Sequence, residues 1–162
     1  MVFSPHPQGK QRINSANILI KLLLTHKKQG LEVIDRHYEE LLTILLGKIT
    51  EAHSKSKTLY RSQCSIEEKS MLQHEHVYQR KTMIKALVNA NSELDVSNIL
   101  LTAVACIVTH DEHKKLSQFD YLYGWERYER AGILVMEMSG NKPKQVDLRM
   151  LIKIGQQASL SS

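Results

Sequence analysis

The stretch "NSANILIKLLLTHKKQG" (residues 14–30) constrains the fold more than any other part of the chain. Ile18, Leu19, Ile20, Leu22, Leu23 and Leu24 nearly encircle a helix axis, so the helix they build is expected to be buried on several sides, in the core or at an oligomer interface. Asn14 or Ser15 can cap its start, Lys27 and Lys28 suit the negative end of its dipole, and Gly30 sits at the stop position.

The helical period continues down the chain. Ile34, Tyr38, Leu41, Leu42, Leu45 and Ile49 form a second stripe, with Gly47 allowing close approach of a neighbour. After the polar, basic connection "HSKSKTLYRSQ", Ser65 followed by Glu68 has the form of a capping box. It opens a third helix running to residue 89, with Ile66, Leu72, Val77, Ile84, Leu87 and Val88 as its buried positions. Ser97 caps a fourth helix over residues 98–116. Ser117 with Asp120 starts a fifth, weakened by Gly124 and Gly132 and closed by Gly140, and a short last helix follows Pro143. The pattern predicts an all-α, single-domain bundle of five or six helices over residues 13–155, with a flexible basic arm at 1–12 and a frayed tail at 156–162. No fixed-period repeat suggests a solenoid, and no glycine cluster between strand and helix suggests an α/β nucleotide-binding fold.

Composition narrows the class. The 162 residues suit one domain able to bury about 70% of its unfolded surface, and 42% hydrophobic with 24% charged residues is ordinary for a globular protein. The longest apolar runs, "ILIKLLL" and "ILLTAVACIV", fall short of the roughly 20 residues of a membrane span. Cys64 and Cys106 are too few for a disulfide framework, and the N-terminus lacks an apolar signal segment. A soluble, intracellular protein, cytoplasmic or nuclear, is expected.

Chemical motifs are sparse. In "CIVTHDEHKK" a helix would place Cys106, His110 and His113 on one face, as a zinc ion requires, with a fourth donor from Cys64, His74 or His76. The same residues also read as a buried cysteine followed by histidines at a helix C-terminus, and this plainer reading is preferred because no C-x-x-C pair or H-E-x-x-H is present. "HEH" at 74–76 would not chelate from a helix, since residues two apart diverge. Cys64, near Arg61, is the more reactive thiol in prospect, but no base accompanies it. With no G-x-S-x-G, phosphate loop or paired carboxylates, the chain reads as non-catalytic, with no cofactor and no small-molecule substrate.

Charge carries the functional expectation. The net charge is +5, and residues 1–31 hold five cations (Lys10, Arg12, Lys21, Lys27, Lys28) and no acid, so the whole excess lies there. A second acid-free basic stretch contains Lys55, Lys57, Tyr60 and Arg61; Arg80 and Lys81 follow, and the C-terminal segment adds Lys142, Lys144, Arg149 and Lys153. Converging, such cations would hold a phosphate backbone with steep salt dependence, without reading bases. Lys10, Arg12, Lys27, Lys28, Lys55, Lys57, Tyr60, Arg61, Arg80 and Lys81 are therefore the candidate nucleic-acid contacts, with RNA preferred to DNA. The alternative is an adaptor or regulatory protein that dimerises or docks a partner helix through the apolar first helix and the aromatic cluster Phe119, Tyr121, Tyr123, Trp125 and Tyr128. No membrane partner is expected.

Overall fold

The computed structural model describes residues 3–30, 32–68 and 71–160, with the side chains of 157–160 excepted. Within them the chain is not an all-α bundle: eight helices accompany a five-stranded mixed sheet. Two long helices come first, α1 (Gly9–Lys28) and α2 (Asp35–Thr50), packed together as a hairpin. Then follow β1 (Tyr60–Ser62), α3 (Gln63–Glu67), β2 (Leu72–His76), α4 (Arg80–Asn89), α5 (Glu93–Leu101), β3 (Ala105–Thr109) and α6 (His110–Ser117). The chain ends with α7 (Trp125–Arg130), β4 (Val135–Glu137), β5 (Lys144–Gln145) and α8 (Leu148–Leu160).

The sheet runs in the order β2-β3-β1-β4-β5, with β1 and β3 parallel and every other pair antiparallel. Its strands lie where helices were expected, for identifiable reasons. "ACIVT" is a fully buried β-branched run, and a short buried strand has the same unbroken apolar signature as a helix segment. The fourth expected helix is therefore α5, capped by Ser92 with Asp95 rather than by Ser97, followed by β3 and α6. The third is α3, β2 and α4, and residues 69–70 within its expected span lie outside the described residues. Ser62, not Ser65, caps α3, accepting from the Ser65 backbone N–H. The fifth divides at two left-handed glycines, Gly124 (φ 60°) and Gly132 (φ 66°), which no continuous helix contains.

α1 begins at Gly9, inside the segment read as an arm, and α8 reaches Leu160, inside the segment read as a tail; residues 1–2 and 161–162 lie outside the described residues. α1 is not buried all round. Ala16, Ile20 and Leu24 face the core, while Ile18, Leu19 and Leu22 are 48–60% exposed.

One face of the sheet carries the core. Cys106, Val108 and Val135 pack with Trp125, Tyr128 and Leu116, and the cluster continues through Leu87 and Ile99 into Ile20, Leu42 and Leu46 of the helical hairpin. The opposite face, which bears Ile107 and Arg61, carries a cleft lined by residues of β1, β2, β3 and the segment after α2. No helix among the described residues is long and apolar enough to cross a membrane.

Candidate nucleic-acid interface

Strand register builds the floor of the cleft. His74, Ile107, Arg61 and Met136 stand opposite one another across β2, β3, β1 and β4, so their side chains share one face. His76, two residues beyond His74 on the edge strand, shares it too, whereas Tyr60, Cys106 and Glu75 form the adjacent row and face the core side. The cleft holds about 960 Å³. Lys55 and Lys57, in the segment after α2, and Arg80, the first residue of α4, add cations to its wall; Glu51 and Glu68 are its acids, and Ile66, Ile107 and Met138 give it an apolar part.

Arg61 is only 8% exposed, and its guanidinium donates to the Ser65 carbonyl at 3.1 Å, fixed by the capped turn of α3. Burial lowers its pKa, but a guanidinium keeps its charge in proteins. The two histidine rings meet edge to face at 5.6 Å. His74 Nδ1 lies 3.0 Å from the Lys55 carbonyl, which can only accept, so Nδ1 carries the hydrogen and ties β2 to the lysine-bearing segment. His74 Nε2 is buried and finds no hydrogen-bond partner among the described residues. Burial first, then the charges of Arg80, His74 and Lys55, push the His76 pKa down to about 4, so His76 is neutral at neutral pH.

Beneath the other side of β2 lies a polar support. Arg127, 3% exposed, donates to Glu75 Oε1 at 3.2 Å and to Asp120 at 2.8 Å, and Glu75 Oε2 is 2.6 Å from His113 Nδ1. These bonds hold β2 against α6 and α7, so the strand bearing His74 and His76 is clamped from behind. Nearby, Glu112 accepts from the Thr109 N–H in a capping box and from Ser62, joining the helix-bearing ends of the two parallel strands.

Of the ten residues selected from charge, Lys55, Lys57, Arg61 and Arg80 meet in the cleft. Arg12 donates to the Ala52 carbonyl at 3.4 Å, which brings the start of α1 beside the segment bearing Lys55. Lys10 and Lys81 are exposed outside the cleft lining. Lys27 pairs with Asp35 and covers the Tyr38 ring, and Lys28 donates to the Ala90 carbonyl, so both serve the α1–α2 end of the molecule. Tyr60 is turned to the core, edge to face with Trp125 at 5.1 Å.

The three-donor face of "CIVTHDEHKK" does not form. Cys106 is fully buried in β3, while His110 begins α6 and His113 faces Glu75. The histidines thus stand near a helix start, not its C-terminus, and no group of three or more candidate metal donors occurs among the described residues. Cys64 is exposed, but burial of its thiol and the nearby Glu112 raise its pKa, against the activation expected from Arg61. What the sequence reading missed was that His74 and His76 stand together in the cleft. On a strand, residues two apart share a face, so "HEH" places both rings in the cleft.

No protein-family model, no curated protein and no solved structure matches this chain.

Proposed function

We propose that the cleft binds the phosphate backbone of a nucleic acid, single-stranded RNA in preference to DNA. The observation that carries this reading is the meeting of Lys55, Lys57, Arg61 and Arg80, from separate parts of the sequence, around one concave surface. Phosphates suit the cations, and the apolar wall from Ile66, Ile107 and Met138 suits an unstacked base, the form in which RNA is commonly held. The reading includes a reducing, intracellular setting, supported by Cys64 and Cys106 both being free thiols. Changing the exposed Lys55, Lys57 and Arg80 together to glutamate, with buried Arg61 left intact, should weaken binding of a labelled oligoribonucleotide by at least about 100-fold in fluorescence anisotropy at low salt. Unchanged affinity would remove the cleft from the binding surface.

A second reading, self-association, is favoured by the outer face of the helical hairpin. Ile18 and Leu22 on α1 and Leu41 and Ile44 on α2 are 44–60% exposed, each pair at helical spacing. The occupant proposed is a second copy. α1 bears five cations and no acid, whereas α2 bears Asp35, Glu39 and Glu40 against Arg36 and Lys48, so a two-fold pairing that sets α1 on the other copy's α2 brings a positive helix against a slightly negative one and completes a four-helix arrangement. Light scattering should give twice the chain mass for the natural protein and the single-chain mass for Leu22→Lys with Ile44→Lys. A monomer at all concentrations would reject this interface.

A further inference from the structure

We propose that the cleft also cleaves RNA, with His76 as the base that passes the phosphodiester to the neighbouring 2′-hydroxyl. The inference rests on the backbone-binding reading and goes beyond it, giving a catalytic role to a cleft in a chain that carries no recognised catalytic motif.

Three features of the site carry it. The His76 ring lies within the cleft on the same face as Arg61, and no hydrogen bond occupies its nitrogens among the described residues. Cations share its cleft: the charges of Arg80 and Lys55 lower its pKa, and Lys57 and Arg61 also line the surface, against Glu51 and Glu68. Third, among the described residues the cleft offers no activated nucleophile of its own. Ser65 donates its hydroxyl to the Ser62 carbonyl and Ser56 pairs with Ser54, and neither serine is bonded to a histidine. A base and phosphate-holding cations without a nucleophile suit a substrate that brings its own, and among nucleic acids RNA does so through its 2′-hydroxyl.

The step balances with no added reactant. A His76 ring nitrogen takes the 2′-hydroxyl proton, and the 2′-oxygen bonds to the adjacent phosphorus. The bond from phosphorus to the 5′-oxygen breaks, and the proton returns from His76 through water to that oxygen. The products are a 2′,3′-cyclic phosphate and a 5′-hydroxyl end. Arg80 and Lys55 neutralise the charge that grows on the phosphoryl oxygens. His74 acts as a positioning residue, since its Nδ1 is engaged with the Lys55 carbonyl and its ring edge or face braces His76 at 5.6 Å.

The neutral ring is ready to accept a proton, although a pKa of about 4 makes it a weak base in the free protein. A bound phosphate offsets the positive charge of Arg80 and Lys55, and so raises the His76 pKa toward neutrality. The base is strengthened by the substrate it acts on. The acid limb of kcat should therefore lie above that of kcat/KM.

The test uses the full chain, a labelled single-stranded oligoribonucleotide and its all-deoxy counterpart, under single-turnover conditions with protein in saturating excess. The oligoribonucleotide should be cut to fragments ending in 2′,3′-cyclic phosphate by mass spectrometry, and the deoxy strand should remain intact. His76→Ala should slow cleavage by about 10²–10⁴-fold, and added imidazole should restore part of the rate. His76→Gln, checked for native circular dichroism, guards against a folding defect and should be as slow. RNA that is bound but stays intact overturns this inference and leaves the binding reading standing, whereas RNA neither bound nor cut overturns both. Equal cutting of the deoxy strand, or full activity in both His76 variants, also overturns it.

Discussion

His76 couples the cleft to the stability of the fold. Its folded pKa, about 4, lies below the ordinary 6.5 that the unfolded chain regains. Between those values the unfolded state takes up the proton first, so the neutral ring's contribution is complete above pH 6.5 and is lost as pH falls through about 4. The loss amounts to at most about 3 kcal/mol, and partial solvent exposure reduces it. His53 acts in the same sense, its pKa lowered by burial and by His6 and Arg12. Urea midpoints at pH 7 and pH 4.5 should therefore separate less for His76→Gln than for the natural chain; an unchanged separation would show that His76 is not held neutral. At this scale the sequence was partly legible. Lys55, Lys57 and Arg61 were visible as cations in a run without acids and Arg80 in the basic stretch "RKTMIK", because charge is written in the sequence, although Lys55 also lies 3.5 Å from Glu51. His74 and His76 were not, because whether residues two apart converge or diverge depends on the element that carries them.

At the scale of elements, α1, α2 and α8 were readable as helices, since an apolar period of three and four residues leaves few alternatives, although α1 starts before the expected Asn14 and α8 runs past the expected end at residue 155. The strands were not. β1, β4 and β5 are two or three residues long, too short to show a period, and β2 sits at an edge with polar groups on both faces, His74 and His76 over the cleft and Glu75 over Arg127. The break in the fifth expected helix did carry a signal in its glycines, and Gly124 shows why it mattered. At φ 60°, a Cβ there would also come within 2.2 Å of the Tyr78 ring. Gly124→Ala should accordingly cost about 2–4 kcal/mol, from left-handed strain and displacement of Tyr78, which itself packs edge to face on Tyr123. Chemical denaturation measures it. A cost below about 0.5 kcal/mol would mean that the turn entering α7 differs from the one described.

At the scale of the molecule, the fold changes the meaning of the charge asymmetry. The excess of the first 31 residues does not act as one patch: Lys27 and Lys28 are engaged at the far end of α1, while Arg12 joins the end of α2 near the cleft. What the charges form together is a cleft over one sheet face, braced from behind by the Arg127–Glu75 network and walled by cations from β1, α4 and the segment after α2. The central claim is that these cations hold a phosphate backbone. Its most direct test is the affinity of the natural protein for an unspecific single-stranded oligoribonucleotide, measured from about 50 to 300 mM salt. Three or four phosphate contacts predict a straight line of log affinity against log salt with a slope of about −2 to −3, flattened by roughly 0.7 for each of Lys55, Lys57 and Arg80 removed. No binding at the lowest salt, or a slope near zero, would contradict the account.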